Sequence, residues 1–96
     1  MKAEGLAIIG EALAELTDAA RDGHLDDTDA LSALDAIHRL AAQLEHSELA
    51  LIQAARDAGA TWAQIATALG TGNRQTAQKR HADLTLRLQA TDTVAT

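Results

Sequence analysis

Ala60-Thr61-Trp62-Ala63-Gln64-Ile65-Ala66-Thr67-Ala68-Leu69-Gly70-Thr71-Gly72-Asn73-Arg74-Gln75-Thr76-Ala77-Gln78-Lys79-Arg80-His81 carries the signals of two helices joined by a glycine turn. Thr61 with Gln64 three residues on is a capping-box pairing, in which each residue's side chain satisfies the other's backbone N–H. Gly70 suits the left-handed position that ends a helix, so the first helix covers about 62–69. Thr71-Gly72-Asn73 makes the turn, and Asn73 is a good N-cap for the helix after it. That last helix runs from Arg74 to about Leu88 or Gln89, leaving residues 91–96 as a frayed, flexible tail. Ile65 and Leu69 are expected to bury against this last helix, with Ala66 where the two cross closely. Ala77, His81, Leu84 and Leu88 share one face and should point inward. The opposite face shows Gln75, Gln78, Lys79 and Ala82, with Arg74 at the leading end.

Towards the N-terminus the same period continues. Leu6, Ile9, Leu13, Leu16 and Ala20 line one face of a helix over 3–22, with Glu4, Glu11 and Glu15 mostly off that face and Gly23 as its stop. An acidic connector runs from Gly23 to Asp29, in which Asp27 or Thr28 can cap the next helix and Asp29 suits its positive end. A second helix spans about 28–58 and ends before Gly59. Its apolar stripe includes Leu31, Leu34, Ile37, Leu40, Leu44, Leu51, Ile52 and Ala55, broad enough for more than one neighbour. The stripe is interrupted at Glu45-His46-Ser47-Glu48. The chain is therefore expected to be all-α, with four helices, or five if it breaks there.

Composition agrees. The 96 residues include 23 Ala and 14 Leu against one Val, one Trp and no Phe, Tyr or Pro, a mixture that favours helix over sheet. With no Cys, disulfides, thiolate metal sites and cysteine nucleophiles are excluded. The N-terminal residues do not read as a signal peptide, and no apolar run approaches the roughly 20 residues of a membrane span, so a cytoplasmic protein is expected. The formal charge is −6, but it is unevenly spread. Residues 1–50 hold three basic residues against eleven acids, a net of −8. Residues 51–96 hold five against three, a net of +2. A local basic patch, rather than the total, is what meets a phosphate backbone.

Residues 55–81 resemble the helix-turn-helix DNA-binding unit of small bacterial regulators. The pattern is Trp-x-x-Ile-Ala-x-x-Leu-Gly, here Trp62, Ile65, Ala66, Leu69 and Gly70, followed by Arg-Gln-x-Ala-x-x-Arg, here Arg74, Gln75, Ala77 and Arg80. The turn departs from that pattern: it is one residue longer, and Thr71 stands at its usual apolar site, which could alter the angle of the last helix. The resemblance implies that the second helix enters the major groove with its N-terminal residues at base edges. Gln75 and Gln78 would then pair with adenine, and Arg74 or Lys79 with guanine. Thr76 would meet a phosphate or a thymine methyl, while Arg80, Arg87, Thr61 and Gln64 would bind phosphates.

The function expected is sequence-specific double-stranded DNA binding, as a transcriptional regulator or a small nucleoid-associated protein. Residues 59–90 would form the DNA-binding part and residues 1–58 the interface of a homodimer, because one such unit makes few contacts. The alternative is a helical interaction module, an adaptor or antagonist of a DNA-binding partner, working through its acidic half; a helix–turn–helix pattern also arises as an ordinary αα corner. Trp62 reads as core beside Ile65 rather than a stacking platform, and His81 as a half-buried, hydrogen-bonded residue. His38 and His46 lack converging ligands for a metal, and Asp26-Asp27-Asp29 lacks the glycine and distal glutamate of a calcium loop. No catalytic constellation, cofactor motif or membrane partner is legible, so no enzymatic activity is expected.

Overall fold

A computed structural model describes residues 3–95. They form four α-helices and, among the described residues, no strand: α1 (Glu4–Arg21), α2 (Asp27–Asp57), α3 (Trp62–Leu69) and α4 (Arg74–Ala95). The all-α, four-helix expectation is met. α2 is unbroken through Glu45-His46-Ser47-Glu48, so there is no fifth helix among the described residues. No described helix is long and apolar enough to cross a membrane.

Two expectations at the helix ends are corrected. The cap of α2 is neither Asp27 nor Thr28 but Asp26, whose Oδ1 accepts from the Asp29 amide at 2.8 Å. Asp26 is the position whose carboxylate reaches the third helical amide, while Asp27 is already helical. α4 does not stop at Leu88 or Gln89 but is helical through Ala95. Nothing after Asn73 stops it, since neither glycine nor proline occurs from Arg74 onward.

The chain divides into two compact units, one reaching His38 and the other beginning at Arg39. The division between these compact units lies inside α2, and the second half of α2 belongs with α3 and α4. The reason is its side chains. Ile52 joins Ile65, Ala66, Ala77 and Leu84 in one buried cluster, with Leu49, Ala55, Ala60, Trp62 and Leu69 packed around it. In the first unit, by contrast, α1 buries no residue at all. Leu6 and Ile8 of α1 and Leu31 and Leu34 of α2 stay 58–66% exposed. Leu16, Ala20, Leu25, Ala33 and Ile37 line an open apolar cleft of about 280 Å³.

The turn between α3 and α4 is built as its residues require. Gly70 takes φ +69°, where a Cβ would be strained, and the Thr71 amide reaches back to the Ala66 carbonyl at 3.0 Å, the long bond of a Schellman ending. The extra turn residue is absorbed by Gly72 at φ +82° and by Thr71, whose hydroxyl lies 3.3 Å from the Ala66 carbonyl and 3.2 Å from that of Asn73. Asn73 then caps α4, accepting from the Thr76 amide at 2.8 Å.

Ala77 is fully buried while Ala82 is exposed, so this register of α4 can be tested. Ala77→Leu should cost about 1–3 kcal/mol in urea unfolding by overpacking the α3–α4 contact. Ala82→Leu should stay within about 0.5 kcal/mol of the parent, as surface substitutions do. Equal effects would mean that α4 presents a different face to the core.

Candidate nucleic-acid interface

The candidate surface begins at two helix starts. At α3 the capping box forms in full: Thr61 Oγ1 accepts from the Gln64 amide at 3.1 Å, and Gln64 Oε1 accepts from the Thr61 amide at 2.8 Å. Both side chains use only acceptor atoms in this exchange. The Thr61 hydroxyl proton and the Gln64 NH₂ remain able to donate outward, beside first-turn amides that have no preceding helical carbonyl to bond. At α4 the arrangement differs. The Thr76 hydroxyl donates to Asn73 Oδ1 at 2.9 Å, so its proton is committed within the cap.

The outward face of α4 is fixed by its inward one. Ala77 and Leu84 are buried and His81 and Leu88 half-buried, which turns Gln75, Gln78, Lys79 and Ala82 to solvent. Arg74, at the leading end, is exposed too. No carboxylate occurs in the sequence from Ala58 through Ala82, so no acid of α3 or of the first turns of α4 opposes these cations. Arg74, Gln75, Gln78 and Lys79 therefore form a continuous polar, positively charged strip, with Thr61 and Gln64 at the start of the preceding helix.

Arg80 and Arg87 are placed otherwise. Arg80 donates through Nε to Glu48 Oε2 at 2.7 Å and through Nη2 to Glu48 Oε1 at 3.1 Å. Arg87 Nη2 lies 2.8 Å from Glu45 Oε2. Both guanidinium groups thus tie α4 to α2 instead of standing free for phosphate. The Arg80 hydrogen bond holds the Glu48 carboxyl below its ordinary value against the opposing effect of burial, and Glu48 in turn raises Arg80. Sequence reasoning missed Glu45 and Glu48 as partners, because Glu48 and Arg80 lie 32 residues apart and no local period links them.

Trp62 sits at the edge of the core beside Ile65, as its size required. The Arg56 guanidinium lies 5.0 Å from its ring centre, and the His81 ring is 5.6 Å away at a 60° tilt. Arg56 also donates to the Ala60 carbonyl at 2.9 Å, which fixes the loop leading into α3. Sequence reasoning gave Arg56 no role. Among the described residues no group of histidines and carboxylates converges on a metal position.

No family model matches the chain, and neither the curated proteins nor the solved structures contain a match to it.

The Glu48–Arg80 pair has a pH signature. Because the Arg80 hydrogen bond holds the folded carboxyl below its ordinary value, its stabilisation is present above the ordinary glutamate range and is lost as pH falls through the lowered folded value. Arg80 is 39% exposed, so solvent screening limits the pair to about 1 kcal/mol or less. In thermal melts Glu48→Gln should be less stable than the parent at pH 7, with the gap closing as pH is lowered below the ordinary glutamate range. A gap that does not narrow as the solution is acidified would assign the loss to packing rather than charge.

Proposed function

We propose that the chain binds double-stranded DNA, laying the first turns of α4 in the major groove with α3 bridging the phosphate backbone. The observation that carries this reading is the exposed strip of Arg74, Gln75, Gln78 and Lys79 on a helix whose opposite face is locked onto α3 by Ala77. A glutamine amide offers a donor and an acceptor to adenine, and arginine or lysine offers donors to guanine. Thr61 and Gln64, with donors left over from the capping box, suit phosphates at the groove's edge. Thr76 suits a thymine methyl. Arg80 and Arg87 are left out of these contacts because glutamates of α2 already hold them.

Two copies complete the site. One unit of this size makes few base contacts, and two half-sites about 34–36 Å apart multiply them. The apolar residues that the first unit leaves exposed, among them Leu6, Ile8, Leu31 and Leu34, supply a surface for that pairing. The activity is that of a transcriptional regulator or a small nucleoid-associated protein, which differ in how strongly they discriminate among sequences. Its working place is the nucleoid.

Mobility-shift titration over a range of salt concentrations tests the reading. Binding should weaken as salt rises, and Lys79→Ala should flatten the slope of log K against log salt by about one unit if Lys79 neutralises a phosphate. The pair Gln75→Ala and Gln78→Ala should lower affinity for a selected sequence more than for a random one. Equal losses would make both glutamines backbone contacts, and no shift at low salt would remove DNA as the ligand.

A further inference from the structure

We propose that Glu48 is an internal competitor for DNA phosphate, holding Arg80 out of the contact that its position on α4 would otherwise allow. The inference rests on the duplex-binding reading and adds a residue that sets the strength of that same site.

Arg80 lies three residues after the buried Ala77 and one after the exposed Lys79, which puts it on the flank of α4. A helix about 10–12 Å across in a groove about 12 Å wide brings its flanks against the phosphate walls. An arginine there ordinarily takes a phosphate through two parallel N–H donors. Glu48 occupies such an edge: Nε and Nη2 are bonded to its two carboxylate oxygens at 2.7 and 3.1 Å. The carboxylate has the charge and the paired oxygens of the phosphate it excludes. The same device repeats two turns on, where Arg87 meets Glu45 at 2.8 Å. The cations of α4 are Arg74, Lys79, Arg80 and Arg87. The pairs with α2 leave Arg74 and Lys79.

The consequence concerns selectivity. Phosphate contacts add affinity for every sequence alike, whereas the glutamine face discriminates. A competitor for Arg80 therefore lowers sequence-blind binding without touching the residues that read bases.

The test is a double-mutant cycle on the full chain, using a random-sequence duplex and a duplex selected from a random pool, each titrated between about 50 and 200 mM salt. Glu48→Gln should steepen the salt slope by about 0.9 per protomer, which is about 3.5-fold more loss of affinity across that fourfold change in salt. It should raise low-salt affinity for both duplexes by the same factor. Adding Arg80→Met should cancel the gain, so that Arg80→Met costs about 0.9 more slope in the Glu48→Gln background than in the parent. Asp57→Asn, which removes the same charge elsewhere on α2, should change the slope less. Helicity by circular dichroism checks that each variant is folded. Should Glu48→Gln disturb α4, Glu48→Ala must show the same steepening for the competitor role to stand. Arg80→Met costs that are equal in the two backgrounds would overturn the inference and leave duplex binding intact. Absence of binding by the parent and Glu48→Gln alike would overturn both.

Discussion

The close approach of α3 to α4 is the constraint on which the C-terminal unit depends, and it exists because the contact is lined with small side chains. Ala66 is 2% exposed and Ala77 not at all, so backbones rather than side chains set the spacing there. Leu84 is the largest side chain fully enclosed, and Ile52 and Ile65 close the cluster from α2 and α3. With so little volume to bury, each cap and ion pair carries more of the fold than in a larger core. The capping box at Thr61, the left-handed Gly70, the Asn73 cap and the two arginine–glutamate pairs all act on the same three helices. The two arginine–glutamate pairs are the ones that restrain α4 directly, by tying it to α2.

Once α4 is held by that face, the composition of the other face is determined by subtraction. The period that buries Ala77 and Leu84 exposes Gln75, Gln78 and Lys79, and no residue could exchange sides without a change of register. The net charge of −6 is no guide to this surface. Acids concentrate before Arg56, whereas the stretch from Ala58 to Ala82 has none. An anionic protein can therefore carry a cationic strip, and its acidic remainder disfavours any other approach to a polyanion.

How far the sequence revealed the structure depends on the range of each interaction. Gly70, Asn73 and the Thr61–Gln64 box act within three or four residues, and their patterns named the right atoms in advance. The inward run Ala77, His81, Leu84, Leu88 was equally legible, since helical period is a local property. Asp26 was overlooked in favour of its neighbours because three acids and a threonine stand together and all can cap; only the exact start of the helix separates them. The extension of α4 to Ala95 was missed because a polar composition resembles a tail, although nothing there breaks a helix. The partners of Arg80 and Arg87 were invisible for a deeper reason. They depend on where α2 lies against α4, which is set by Ile52 meeting Ile65 and Leu84, and no periodicity encodes that distance.

The two units differ in how far they can account for their own stability. The C-terminal one has an enclosed cluster; the N-terminal one has an amphipathic α1 that encloses nothing. Most helical stability in proteins comes from packing the apolar face rather than from intrinsic propensity. Leu6 and Ile9 of the apolar stripe of α1 stay 58% and 41% exposed, with Ile8 at 66%, which is costly to leave in water unless something covers them. If a second copy does so, the gain enters by mass action, and the order of α1 becomes linked to protein concentration and to anything that brings two copies together. A duplex with two half-sites is such a thing. On the proposed reading the acidic half is then no bystander to recognition, since its packing and the binding of α4 to DNA reinforce each other through the same pairing of copies.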